Sequence, residues 1–263
     1  MRATGGILGE IVRDTRLRVN ADQALVPLPT LAERCRLLPR QDPARFRRAL
    51  QQPRLTVIAE VKQASPSKGL IAADFPYLAI ARDYEAGGAA AISVLTEPHF
   101  FRGSDRYLEE IAGAAHVPVL RKDFVVDGYQ LYQARALGAA AILLIAAVLD
   151  DDELAAYTEL ARELGLGTLV EAHTAAEADR AVACGADAVG LNNRDLTTFQ
   201  VDLGTSLRLL DRLPTGTATV SESGISSRAE TVRLAAAGFD AVLVGETLMR
   251  SADRRAAIGA LLP

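Results

Sequence analysis

Ala136-Leu-Gly-Ala-Ala-Ala-Ile-Leu-Leu-Ile145 compresses a helix end, a glycine and a short apolar strand into one stretch. Glycine suits the position just past a helix, because that residue usually takes a positive φ, which costs glycine nothing. The same succession recurs in Glu85-Ala-Gly-Gly-Ala-Ala-Ala-Ile-Ser-Val94, Ala183-Cys-Gly-Ala-Asp-Ala-Val-Gly-Leu191 and Ala236-Ala-Gly-Phe-Asp-Ala-Val-Leu-Val244. Gly88, Gly138, Gly185 and Gly238 fall 50, 47 and 53 residues apart. A spacing near 50 is too long for one βα unit and right for two.

The intervening strands then belong midway. Thr56-Val-Ile-Ala-Glu-Val-Lys62, Pro118-Val-Leu-Arg-Lys-Asp-Phe124, Thr168-Leu-Val-Glu-Ala-His173 and Ala218-Thr-Val-Ser-Glu-Ser223 meet the need. Eight strands are expected to start near 56, 90, 118, 141, 168, 188, 218 and 241. The mean interval of roughly 26 residues holds a strand, a helix and two links. Acidic Asp150-Asp-Asp-Glu153 and the hydroxyls of Ser226-Ser-Arg-Ala-Glu230 mark helix starts. The pattern predicts an α/β protein with a closed (β/α)8 TIM barrel, whose usual size is about 250 residues. The competing open doubly wound sheet would carry a glycine-rich fingerprint after its first strand, and Gln63-Ala-Ser-Pro-Ser-Lys-Gly69 is not one.

Residues 1–52 precede the repeat. Ile7, Leu8, Ile11 and Val12 share a helical face, Thr30-Leu-Ala-Glu33 has the form of a capping box, and Asp42-Pro43 reads as an N-cap with a first-turn proline. Two or three helices packed on the barrel are expected, so that residues 1–263 form a single domain with an N-terminal helical extension.

Composition narrows the function. Of 263 residues 49% are hydrophobic and 24% charged, and 29 basic residues against 33 acidic leave −4, which argues against disorder and against a nucleic-acid partner. The longest apolar run, Ala139 to Leu149, is far short of the ~20 residues of a membrane span. The first residues carry no long apolar run of the secretory kind, and a cytoplasmic protein is expected. Cys35 and Cys184 are too few for a disulfide framework, and three histidines without ligand spacing offer no metal site.

Charged residues interrupt the strands at their late ends. By two-residue alternation Ile58, Glu60 and Lys62 share a face, as do Leu120, Lys122 and Phe124; Leu169, Glu171 and His173; and Gly190, Asn192 and Arg194. If these faces point inward, the polar residues converge on the C-terminal rim, where barrel active sites lie. The small-residue turns Ser221-Glu-Ser-Gly-Ile-Ser226 and Val244-Gly-Glu-Thr247 offer backbone N–H groups to a phosphate. Ser65-Pro-Ser-Lys-Gly69 has a composition that fits a mobile lid and a plain surface loop equally. His173 is expected at the rim without a catalytic part, and His99 and His116 in loops.

These residues resemble the signature of the indole-3-glycerol phosphate synthase family. The resemblance lies in Ala59-Glu-Val-Lys-Gln-Ala-Ser-Pro-Ser-Lys-Gly69, Phe101-Arg-Gly-Ser104, Leu120-Arg-Lys-Asp-Phe124, Val170-Glu171, Gly190-Leu-Asn-Asn-Arg-Asp-Leu196, Glu222-Ser-Gly224 and Val244-Gly245. It implies a carboxy-lyase of tryptophan biosynthesis, without metal or cofactor, acting on a phosphorylated small molecule as a monomer or weak homo-oligomer. The substrate would be 1-(2-carboxyphenylamino)-1-deoxyribulose 5-phosphate, closed to indole-3-glycerol phosphate with loss of CO2 and water. By the same resemblance Lys122 is the general acid and Glu171 the base, with Glu60, Lys62 and Asn192 completing the catalytic set. Phe101, Phe124, Leu143 and Pro66 would hold the aromatic ring, and Ser65, Ser223, Gly224, Gly245 and Glu246 the phosphate. Arg194, Glu222 and Leu243 complete the substrate-binding residues. The family often has a small hydroxyl residue where this chain has Glu246; only its backbone N–H is expected to serve, the side chain turning to solvent.

Two other chemistries compete. A Schiff-base aldolase would use Lys62 or Lys122 as nucleophile, which carboxylate neighbours disfavour because a nucleophilic amine must lose its proton. A non-catalytic sugar-phosphate sensor would lack a catalytic part, and none is missing. The sister isomerase barrel of the same pathway fits the lysine and two glutamates poorly.

Overall fold

Helices cover the outer face of the barrel, so the strands are buried on both faces and apolar over most of their length, with charged residues only towards their late ends. The computed structural model describes residues 5–196 and 198–263. Strands β1 (Thr56–Val61), β2 (Ala91–Leu95), β3 (Val119–Lys122), β4 (Ala141–Ile145), β5 (Gly167–Ala172), β6 (Ala188–Asn192), β7 (Ala218–Glu222) and β8 (Ala241–Val244) form one parallel barrel. It closes through β1 and β8, with Thr56 opposite Ala241 and Ala59 opposite Val244. The strand starts fall within a residue of the expected ones. Gly88, Gly138, Gly185 and Gly238 all take positive φ, between 75° and 104°.

Three helices precede the barrel: α1 (Gly6–Leu25), α2 (Leu28–Leu37) and α3 (Ala44–Leu50). Asp42 Oδ1 accepts from the Ala44 N–H at 3.0 Å, but the N-cap of α3 is Pro43 and not the expected Asp42, one residue earlier. The capping box expected at Thr30–Glu33 is not a helix start. Thr30 lies inside α2, because Pro29 is free to occupy the first turn and the helix begins at Leu28.

The outer helices are α4 (Tyr77–Ala86), α5 (Asp105–Ala114), α6 (Tyr129–Ala136), α7 (Asp151–Glu163), α8 (Ala175–Ala183), α9 (Gly204–Leu209), α10 (Arg228–Ala237), α11 (Glu246–Met249) and α12 (Arg254–Leu261). Asp150 and Glu153 cap α7 reciprocally, and the Glu230 carboxylate accepts from the Ser226 and Ser227 N–H groups before α10. The segment after β1 is an ordered hairpin, with Ala64 opposite Leu70 and Ser65 opposite Gly69. No helix among the described residues is long and apolar enough to cross a membrane.

Alternation within β3 is unusually sharp. Arg121 is fully buried on the outer face, where its guanidinium donates to Thr96 Oγ1, the Gln130 carbonyl, Asp105 and Asp123 at 3.1–3.2 Å. Lys122, one residue on, therefore points inward.

Candidate active site

The C-terminal ends of the strands surround a cavity of about 780 Å3. Glu60, Lys62, Lys122, Glu171 and Asn192 all line it. So do Ser65, Pro66, Phe101, Phe124, Leu143, Arg194, Glu222, Ser223, Gly224, Leu243, Gly245 and Glu246. The volume suits a ligand of drug size.

At the floor the Lys122 ammonium meets Glu171 Oε2 at 2.9 Å and Glu222 Oε2 at 3.5 Å. Burial works against its charge, but Glu171, Glu222 and Glu60 more than reverse this and raise its pKa above the ordinary lysine value. Burial likewise works against the Glu171 carboxylate, and Lys122, then His173, overcome it, leaving its pKa below the ordinary value. Glu222 goes the other way. Burial is the largest influence and pushes its pKa up to about 8; Lys122 opposes this, and Glu171 and Glu60 reinforce it. Lys62 is ion-paired with Glu60 Oε1 a short distance away on β1.

Two glycines make room for this cluster. A Cβ on Gly245 would lie 2.5 Å from Glu60 Oε1 and 3.0 Å from Lys62 Nζ. One on Gly190 would overlap the Glu222 carboxylate. Neither steric need is visible from spacing alone.

Beside the charges lies an apolar slot. Phe101 and Phe124 stand 5.8 Å apart between ring centroids, tilted by 39°, with Leu143, Pro66 and Leu243 on the same cavity wall. Phe101 is held by Glu97, whose buried carboxylate accepts from the backbone N–H groups of His99, Phe100 and Phe101 at 2.7–3.0 Å. Sequence reasoning passed over Glu97, since a carboxylate three or four residues before an aromatic is no signal of a turn. Ile7, Leu8 and Ile11 of α1 also line the cavity. Their shared face was legible, its destination was not.

Elsewhere on the cavity lining Ser223 and Gly224 both take left-handed backbone, with φ of 67° and 81°. A non-glycine residue in that region is uncommon and marks a turn fixed by its surroundings. Asn193 fixes it here: its side-chain amide donates to Ser221 Oγ, the Glu222 carbonyl and the Ser223 carbonyl at 2.9–3.1 Å. Gly245 and Glu246 line the same cavity. The Glu246 side chain, expected to turn to solvent, is partly exposed. Its carboxylate is shared between Lys68 at 3.4 Å and Arg250 at 3.1 Å, two cations that draw it along the rim. Arg194 donates to the Phe199 carbonyl at 3.2 Å, and Asn192 Oδ1 accepts from the Arg194 N–H at 2.9 Å.

His173 departs from expectation. It is mostly buried and stands between two carboxylates, Nε2 3.4 Å from Glu171 Oε1 and Nδ1 3.3 Å from Glu177 Oε2. Its second partner is contributed by α8, which is why strand alternation could not reveal the pairing.

Comparison with known proteins adds a family. Residues 8–261 match the family model of indole-3-glycerol phosphate synthase. The chain is 50% identical over 254 residues to indole-3-glycerol phosphate synthase of Lacticaseibacillus paracasei, covering 97% of this chain and 98% of the relative. Its identity to the same enzyme of Ruminiclostridium cellulolyticum is 47% over 255 residues, with the same coverage. Among solved structures it resembles 3-hexulose-6-phosphate synthase from Salmonella typhimurium, with TM-score 0.60, 16% identity and coverage of 79% of this chain and 96% of that one. It also resembles thiamine phosphate pyrophosphorylase from Pyrococcus furiosus, with TM-score 0.57, 20% identity and coverage of 82% and 95%. At such identities these two likenesses speak for the barrel fold alone.

Proposed function

The chain belongs to the indole-3-glycerol phosphate synthase family, and on that premise we propose how its residues divide the decarboxylating ring closure of tryptophan biosynthesis. The substrate, 1-(2-carboxyphenylamino)-1-deoxyribulose 5-phosphate, lies with its aromatic ring against the Phe101–Phe124 pair and Leu143, Pro66 and Leu243. Its phosphate sits at Ser65, Ser223, Gly224 and Gly245, with the backbone N–H of Glu246. The Glu246 carboxylate, occupied by Lys68 and Arg250, is kept from repelling it.

Attack of the ring carbon on the sugar carbonyl builds negative charge on oxygen. An ammonium already positioned there stabilises that charge without reorganisation, and Lys122 is the acid that protonates it. Loss of CO2 then restores the aromatic ring. In the final dehydration Glu171, kept ionised by Lys122, removes a proton from the methylene carbon next to the ring nitrogen, while the hydroxyl on the former carbonyl carbon takes a proton from a cavity lysine and leaves as water. Lys62 and Asn192 orient the substrate carboxylate and hydroxyls, and Glu60 holds Lys62. Arg194 and Glu222 complete the binding surface.

The observation that carries this reading is the Lys122 ammonium held between Glu171 and Glu222 beside an apolar slot. The same observation speaks against a Schiff-base aldolase, because a lysine held protonated is no nucleophile. The purified chain is expected to convert the anthranilate-ribulose phosphate to an indole product, with turnover unchanged by a chelator. Glu171→Gln is expected to lower kcat by at least about 100-fold, the span of general-base catalysis. No indole product from the wild-type chain would refute the activity; near-normal kcat in the variant would refute Glu171 as base.

A further inference from the structure

We propose that His173 positions Glu171 and, with Glu177, forms the route by which that buried carboxyl group exchanges its proton with solvent. The inference rests on the assignment of Glu171 as base.

Three observations carry it. First, the Glu171 carboxylate is gripped from two sides: Oε2 by Lys122 at 2.9 Å, and Oε1 by His173 Nε2 at 3.4 Å. Second, the imidazole is braced from behind. Glu177 Oε2 stands 3.3 Å from Nδ1 and accepts the His173 backbone N–H at 2.8 Å, while the Glu177 N–H donates to Thr174 Oγ1 at 3.2 Å in the first turn of α8. Third, His173 Nε2 is buried and faces the Glu171 carboxylate across 3.4 Å without completing a hydrogen bond to it. A buried polar atom whose hydrogen bond is left unmade is costly and calls for an explanation in function. A nitrogen waiting for the proton of Glu171 supplies one.

The reaction requires such a route. Substrate carboxylate plus one proton gives indole product, CO2 and water, so each turnover draws a net proton from solvent. Glu171 meanwhile gains a proton from carbon and must lose it before the next cycle, when a bound ligand fills the cavity in front of it. His173 lines a second cavity of about 940 Å3 and not the first, together with Thr174, Glu177, Asn192 and Arg194. The transfer balances. The O–H of protonated Glu171 passes its proton to Nε2, Nδ1 passes one to Glu177, and Glu177, with 16% of its side chain exposed, yields it to water. Glu171 is again a carboxylate, and His173 holds as many protons as before. The reverse sequence brings a proton in.

The charged groups around the imidazole are Glu171 on β5, Glu177 on α8 and Glu222 on β7, with Lys122 beyond Glu171 and Arg194 in the shared cavity. Burial disfavours the imidazolium, and Glu177, then Glu171, outweigh that and raise its pKa. When Glu171 becomes neutral, part of that support disappears, which favours the neutral imidazole whose Nε2 can accept a proton.

The test is the pH profile of kcat in His173→Gln, whose amide reaches both carboxylates but neither carries charge nor relays a proton. A fall in kcat of about tenfold is expected, at the low end of general acid–base effects, with KM unchanged within about twofold. With the relay removed, Glu171 regains its carboxylate more slowly where solvent base is scarce, so the acid limb of the profile moves to higher pH. Glu177→Gln is expected to move it the same way by less, and carries the test should His173→Gln fail to fold. Wild-type kcat and an unmoved acid limb in the variants, or a change in KM alone, would overturn the inference. If Glu171→Gln still turns over, the base assignment itself has failed; if only the His173 and Glu177 variants behave as wild type, the relay alone has.

Discussion

Glu222 is the side chain in which the chemistry and stability of the site meet. Lys62 and Lys122 face Glu60, Glu171 and Glu222, so two ion pairs leave one carboxylate in surplus. Burial chooses Glu222, whose pKa rises to about 8, and its Oε1 lacks a hydrogen-bond partner among the described residues. At neutral pH it is therefore mainly a neutral acid, and the cluster is balanced. A carboxyl group with a folded-state pKa above its unfolded value of about 4.3 stabilises the fold fully below that value. The contribution disappears as pH rises through about 8. Glu171 has the opposite sign: held below its ordinary value, it favours the fold at neutral pH and ceases to do so as pH falls through its folded value. Thermal melts at about pH 7 and pH 9 are expected to show the wild type losing more Tm than Glu222→Gln across that interval. Equal losses would mean that Glu222 is already ionised at neutral pH. The inward residues could be read from alternation, since Glu60, Lys122 and Glu171 each occupy an inward position in their strands. Their charge states could not, because these depend on which carboxylate the barrel leaves without a cation.

Between elements, packing of β6 against β7 sets the place of Glu222. Gly190 pairs with Val220 and Asn192 with Glu222, and the missing Cβ of Gly190 is the space the carboxylate occupies. Gly190→Ala is expected to cost about 1–3 kcal/mol as an overpacked core position. It should also lower kcat/KM by at least about tenfold, because a misplaced group near the reacting atoms is costly. Denaturant unfolding and steady-state kinetics together check both effects; a variant unaltered in both would show that Glu222 does not need that space. At this scale the sequence was most readable, since a glycine after each of four helices marks the βα period. It was least readable where few residues decide a local form. The two-residue hairpin after β1 has no periodicity to detect, and Pro29 moves the start of α2 ahead of an otherwise good capping box.

In the molecule as a whole, residues far apart in the chain are held around one cavity. Arg18 of α1 makes a two-pronged ion pair with Asp123, at 2.7 and 3.1 Å, next to Lys122. Asp123 is buried; burial alone would raise its pKa, and Arg18 and Arg121 more than reverse this. This tie fixes α1 over the cavity that Ile7, Leu8 and Ile11 help to line. A link over 105 residues leaves no trace in spacing, so the sequence indicated helices ahead of the barrel but not where they dock. The central claim is that an ammonium, kept charged by carboxylates from other strands, performs the chemistry without being needed to hold the substrate. Lys122→Ala tests it most directly, with kcat and equilibrium substrate binding measured on the same preparation. The expected result is a loss in kcat of about 100- to 1,000-fold, as when one electrostatic donor is removed from a dry site, with affinity changed by less than about tenfold. Turnover within about tenfold of wild type, with binding intact, would contradict it.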